Sequence, residues 1–196
     1  MEIQLWREIL DPYRQAVDEL TVKFEHMIEE HHNAGLYCPI VQVSGRVKKI
    51  SSILEKCQRK NVPMEELEEK IEDIAGIRII CQFVEDIEKV VEIIRKRSDV
   101  IIKKEKDYIT NSKESGYRSY HVILECPFPE APDGVLRVEI QLRTIAMDCW
   151  ASLEHEMRYK KGITNTALIE KELKRCAGEM ASTDLSMQTL RDMIRQ

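Results

Sequence analysis

No CxxC pair, no regular cysteine spacing and no run of 18 apolar residues occurs in this 196-residue chain. Its six cysteines (Cys38, Cys57, Cys81, Cys126, Cys149 and Cys176) are scattered, which argues against a disulfide framework and reads as free thiols in a reducing cytosol. The missing apolar run excludes a membrane-spanning helix, and acidic residues without an apolar segment near the N-terminus argue against secretion. Gly/Pro/Ser-rich linkers are also absent, so one domain is expected. A basic excess is lacking too. The formal net charge is −5, which offers nucleic acid no global attraction, although cations cluster locally around positions 46–60 and 95–118. Neither G-x-x-x-x-G-K-[ST] nor GxGxxG is present, so any phosphate would have to be held by side chains. Glu154-His155 has no second histidine to complete HExxH, and His26, His31 and His32 have no zinc-like companions.

What is present is periodic. Apolar residues from Ile9 to Ile28 recur at three- and four-residue steps, the pattern of an amphipathic helix, which Asn33-Ala34-Gly35 should end. Ile40–Val43 reads as a strand, Ser51 or Ser52 as the cap of a helix through Lys60, and Asn61-Val62-Pro63 as its stop before a short acidic helix over 64–71. Central strands are expected over Ile77–Phe83, Tyr120–Glu125 and Val135–Leu142, with a strand-like Val100–Ile102 and a helix over Asp86–Arg97. The pair around 120 and 140 should form a hairpin whose turn holds Cys126-Pro127-Phe128-Pro129 and Asp133-Gly134. Met147, Trp150, Leu153, Glu154 and Met157 share a helical face, and a last helix is expected over Ala167–Ile194. The result is an α+β fold around a mixed sheet of about five strands, parallel only where the Asp86–Arg97 helix intervenes. Three regions are expected within it: an N-terminal helical region (1–35), a core (36–162) and a C-terminal helical region (163–196).

Two stretches carry the chemistry. Gly116-Tyr117-Arg118-Ser119-Tyr120-His121 displays an aromatic ring, a guanidinium and an imidazole from a strand-like run. Glu139-Ile140-Gln141-Leu142-Arg143 places a carboxylate, an amide and a guanidinium on one face of a strand. Arg46 and Lys48 share one side of a strand, while Ser52, Lys56 and Arg59 share a helix face, so cations could converge on a triphosphate. A solvated basic face is the plain alternative. Arg78 sits within a Val/Ile-rich strand and needs a partner or a ligand. An ion pair with Asp73 would satisfy it, whereas Asp73 and Glu139 together could hold Mg²⁺. Lys103 to Lys106 and Lys113 read as a basic loop. Tyr117 could stack on a base or serve as an ordinary strand aromatic, and His121 could be structural.

In this order, Gly45-Arg46-Val47-Lys48, Ser52-Ile53-Leu54-Glu55-Lys56, Asp73-Ile74-Ala75-Gly76-Ile77-Arg78, the two stretches above through Thr144, and Trp150-Ala151-Ser152-Leu153-Glu154-His155 resemble the RelA/SpoT-type (p)ppGpp synthetases. The short length resembles a stand-alone small alarmone synthetase, and the absence of a His-Asp dipeptide gives no sign of the family's hydrolase domain. The resemblance implies a nucleotidyltransferase-like fold and a GTP diphosphokinase that moves the β,γ-diphosphate of ATP to the 3′-hydroxyl of GDP or GTP, in the stringent response. It implies that Arg46 and Arg78 sandwich adenine, that Lys48, Ser52, Lys56, Arg59 and Glu154 lie on the ATP side, and that Asp73 and Glu139 hold Mg²⁺. Glu139 would also take the hydroxyl proton. Tyr117 would stack on guanine, with Lys104, Lys106, Lys113, His121, Gln141 and Asp148 around the acceptor. Ser112, Ser115 and Asp148 depart from residues common in the family. A homotetramer built on the end helices, with a product-binding regulatory cleft, is implied as well; RNA binding is not indicated. The rival functions are a nucleotide sensor with weak turnover and a pyrophosphokinase acting on tRNA 3′ ends.

Overall fold

Every second residue of the central strands is apolar, and that alternation divides the sheet into two unlike faces. The computed structural model describes residues 2–129, 131, 134–159 and 165–195. In chain order they form α1 (Glu2–Asn33), β1 (Ile40–Val47), α2 (Ile50–Lys60), a 3-10 turn (Met64–Glu66) leading into α3 (Leu67–Lys70), β2 (Ala75–Cys81), α4 (Val84–Arg95), β3 (Ile101–Asp107), β4 (Tyr120–Pro127), β5 (Val135–Thr144), α5 (Ile145–Tyr159) and α6 (Thr166–Arg195). The five strands lie in the order β1-β2-β5-β4-β3. Only β2 and β5 run parallel, and the connection between them includes α4 as expected, together with the β3–β4 pair.

On one face, Ile77 of β2, Ile140 of β5 and Val122 of β4 lie in register, flanked by Ile79, Leu142, Val138 and Leu124, all buried. α1 and α4 cover this face with Leu10, Tyr13, Val17, Leu20 and Phe24, and with Ile87, Val90, Val91 and Ile94. The approach is tight at Gly45 of β1, where a Cβ would stand 2.3 Å from Val17 Cγ1 and 2.8 Å from Thr21 Oγ1. A second, smaller cluster joins Trp150 and Ala151 of α5 to Leu173 and Ala177 of α6.

Several boundaries differ from the sequence expectation. α2 starts at Ile50 with the Lys49 backbone as its cap, so Ser51 and Ser52 lie inside the helix and neither caps it. Asn61 ends it in the left-handed conformation (φ 52°), its N–H reaching back to Gln58 O. β4 begins at Tyr120, which leaves Tyr117 and Arg118 in the preceding loop rather than on a strand. β3 runs on to Asp107, so Lys103 to Lys106 belong to an edge strand and not to a loop. An edge strand needs only one paired side and tolerates charge. Leu153 and Met157 are exposed, unlike Met147 and Trp150 of the same helix. Asp133 of the expected turn and the boundary at residue 162 fall outside the described residues.

Candidate active site

The second sheet face is polar across all five strands. One register row runs Ser44, Arg78, Gln141, His121, Lys106, and the next runs Arg46, Gly76, Glu139, Ile123, Lys104. Ser44, Arg46, Lys48, Asp73, Gly76, Arg78, Glu139 and Gln141 line a cleft of about 170 Å³. Gly76 keeps its floor low, since a Cβ there would meet nothing closer than Glu139 O at 3.7 Å.

Asp73 stands just before β2, opposite the end of β1, where Lys48 N donates to Ile74 O. Its Oδ2 accepts from Lys48 Nζ and from Lys56 Nζ, both at 2.6 Å. Burial favours the protonated acid, yet the two ammonium groups outweigh it and hold the carboxyl below its usual range. The other oxygen, Oδ1, is buried with no hydrogen-bond partner. The expected alternative, an Asp73–Arg78 pair, does not form. Arg78 Nη1 instead meets Asp148 Oδ1 at 3.2 Å.

Glu139 belongs to a closed hydrogen-bond ring. Its Oε1 lies 3.1 Å from His121 Nδ1, and its Oε2 accepts from Gln141 Nε2 at 2.7 Å. Arg143 Nη2 donates to Gln141 Oε1 at 2.8 Å and to the Tyr117 hydroxyl at 2.9 Å, and that hydroxyl lies 2.9 Å from His121 Nε2. One assignment satisfies every member: neutral His121 protonated at Nδ1, with the Tyr117 O–H donating to Nε2. Burial raises the Glu139 carboxyl, but the hydrogen bonds from His121 and Gln141 bring it below the ordinary glutamate value.

Tyr117 is set by Gly116, which has φ +93° and whose Cβ position lies 2.6 Å from Ala177 Cβ on α6. Only glycine meets both conditions. Lys113 Nζ lies 4.6 Å from the centroids of both the Tyr117 and Tyr108 rings, so an ammonium covers the tyrosines. Burial, first of all, lowers the Lys113 pKa. Trp150 Nε1 donates to Leu173 O at 2.8 Å, and Thr144 Oγ1 caps α5 at Met147 N while donating to Asp184 Oδ2 at 2.6 Å. α6 therefore braces both the Tyr117 loop and the start of α5.

The structure thus brings together Arg46, Lys48, Lys56, Asp73, Arg78, Glu139 and Gln141, with Tyr117, His121 and Lys113 adjoining through the ring and the aromatic pair. Arg59 is exposed and, like Ser52, is not part of the cleft lining. Glu154, expected on the ATP side, lies instead along a separate cavity with Glu114, Ser115 and Lys174. Asp148, expected at the acceptor, accepts from Arg143 Nη1 at 2.8 Å while facing Arg78. Alternation places Arg143 on the polar strand face without giving it a specific role, and Tyr108 has no role in the sequence reading; an aromatic within a basic stretch was the available signal for Tyr108.

Residues 45–164 match the family model for the region found in RelA / SpoT proteins. The chain belongs to that family. Among RelA/SpoT relatives, a Bacillus subtilis protein named GTP pyrophosphokinase YjbM is 40% identical over 197 residues, spanning 100% of this chain and 93% of its own length. The fold is similar to the small alarmone synthetase 1 of B. subtilis bound to its product pppGpp, with a TM-score of 0.91 and 40% identity, covering 98% of this chain and 100% of that one. It is also similar to small alarmone synthetase 1 bound to AMPCPP, with a TM-score of 0.81 and 36% identity over 98% of both chains.

Proposed function

We propose that this chain is a GTP pyrophosphokinase, transferring the β,γ-diphosphate of ATP to the 3′-hydroxyl of GDP or GTP and releasing AMP. The observation that carries this reading is the placing of Asp73 and Glu139 on one cleft, between a cationic wall and an aromatic one. The full-length likeness to a protein named GTP pyrophosphokinase supports it.

Lys48 and Lys56 would neutralise the triphosphate, and the Arg46 and Arg78 guanidiniums would flank adenine. The acceptor 3′-oxygen would bond to the β-phosphorus as the bond from that phosphorus to the bridging oxygen of AMP breaks, with the hydroxyl proton passing to Glu139. Its depressed pKa makes Glu139 a weak base, so positioning and charge neutralisation would carry most of the rate. The donor set fits Mg²⁺. Asp73 Oδ1 is buried and unpartnered, and Glu139 lines the same cleft. Two carboxylates completed by substrate phosphates suit this ion, which would offset charge on the transferring group.

Purified protein given labelled ATP, Mg²⁺ and each of GMP, GDP, GTP and uncharged tRNA should label GDP or GTP. Transfer to none of the guanine nucleotides defeats the proposal. Guanine stacking on Tyr117 requires the Lys113 ammonium to leave the ring, and Tyr117→Ala should raise the KM for GDP about 10-fold or more, in line with about 1–3 kcal/mol per stacked base. The KM for ATP should move much less; equal changes would remove Tyr117 from the acceptor site.

The proposal extends to a cytoplasmic homotetramer assembled through the end helices, where a product-binding cleft would lie. Exposed Leu185, Met187, Leu190 and Met193 on α6 and Leu5 and Val22 on α1 support such an assembly. No helix among the described residues is long and apolar enough to cross a membrane.

A further inference from the structure

We infer that Asp148 is a positioning residue that couples the ATP side of the cleft to the acceptor side, acting mainly on ATP; the inference rests on the pyrophosphokinase reading. Asp148 lies in the first turn of α5, braced by Thr144 and α6. Its Oδ1 is shared by two guanidiniums from neighbouring strands. Arg143 Nη1 donates at 2.8 Å, and Arg78 Nη1 stands at 3.2 Å.

The two arginines differ in what else holds them. Arg143 also donates to Gln141 and to the Tyr117 hydroxyl, and its guanidinium carbon lies 5.3 Å from the Tyr117 ring centroid. For Arg78, the contact with Asp148 is its one ion pair among the described residues, and its Nε is buried without a partner. Burial first, and then the like charges of Arg143 and Arg46, weigh against the Arg78 cation and lower its pKa. Asp148 is the carboxylate that opposes them.

An adenine ring stacks on the flat face of a guanidinium and leaves its in-plane N–H groups free. Asp148 can therefore hold Arg78 edge-on while the base is bound. The same oxygen fixes Arg143, and through it Tyr117, so ordering either side lowers the cost of ordering the other. Such coupling is reciprocal by necessity.

Asp148→Asn keeps the size and one acceptor oxygen but removes the charge. Arg143 retains its remaining bonds; Arg78 is left between two cations. Calorimetric titration should show that the Kd of wild type for AMPCPP with Mg²⁺ tightens about 5-fold or more when GDP is present, the lower range of typical coupling. In the Asp148→Asn protein, AMPCPP affinity should fall about 10-fold, GDP affinity less than 2-fold, and the mutual enhancement should vanish. Turnover should show a raised KM for ATP with a smaller change in kcat, and Asp148→Glu should restore part of the ATP affinity.

A loss concentrated on GDP would overturn the inference by making Asp148 a guanine contact. Equal losses on both nucleotides, unrelieved by Asp148→Glu, would reduce it to a structural residue, and unchanged binding would also overturn it. Wild-type protein that binds neither nucleotide would overturn the functional reading and this inference together. Wild type that binds both while Asp148→Asn matches it would overturn the inference alone.

Discussion

Replacing Glu139 with glutamine should lower kcat by about 10²–10⁴-fold, the range associated with loss of general acid–base catalysis, and leave the fold intact. The hydrogen-bond ring explains why these outcomes separate. Glu139 accepts at both oxygens, whereas an amide must donate at one end. Turned toward Gln141, that amide N–H would force Gln141 to flip and confront Arg143 with a second donor. Turned toward His121, it is accommodated by a tautomer change: Nδ1 becomes the acceptor, Nε2–H donates to the Tyr117 oxygen, and the Tyr117 hydroxyl proton rotates out of the ring. The ring closes again without moving a heavy atom far. A variant with wild-type circular dichroism and melting but no turnover would match this account. A variant that both folds and turns over normally would remove Glu139 from the chemistry.

Gly45→Val should cost about 3 kcal/mol, at the upper end of ordinary overpacking, and lower Tm by roughly 6–12 °C for a chain of this size. The new Cβ would stand 2.3 Å from Val17 Cγ1, and both atoms sit on regular elements that cannot yield locally. Val17 is itself buried among Tyr13, Leu20 and Phe24, so relief means lifting α1 from β1. Gly76→Val is the matched comparison, because its Cβ position has no neighbour nearer than 3.7 Å. Calorimetry on both variants separates collision from the general effect of adding a side chain to a strand. Similar melting of the two would show that the α1 contact is not the cause.

The legible parts of the fold were those written in local periodicity. Val135–Leu142 alternates cleanly because one face meets the core and the other the cleft, and Asp86–Arg97 keeps helical spacing over its buried Ile and Val positions. β3 was read short because Lys103 to Lys106 fill an edge position, where half the backbone is unpaired and apolar residues are not required. A bulge between Ile102 and Lys104 also breaks the period-two signal there. At the site, Glu139, Gln141 and Arg143 share a face by spacing alone. The partners of Asp73 and Arg78 do not follow from spacing, since Lys56 reaches Asp73 from α2 and Asp148 meets Arg78 across 70 residues of sequence. The position of Glu154 is illegible for a related reason: its neighbours on α6 lie beyond the next connection, and its own helix carries no mark of them.

The strand order has a consequence for how the molecule is made. β5, the last strand in the chain, lies at the centre of the sheet, between β2 and β4. Until it inserts, the β1–β2 and β3–β4 pairs are separate hairpin-like halves, each with an edge exposed. Asp73 belongs to one half, His121 to the other, and Glu139 arrives with the strand that joins them. Folding thus depends on long-range pairing, which is intrinsically slow, and the two carboxylates first meet at the step that closes the sheet. In a chain emerging from the ribosome, the two carboxylates stay apart until residue 144 is free to pair.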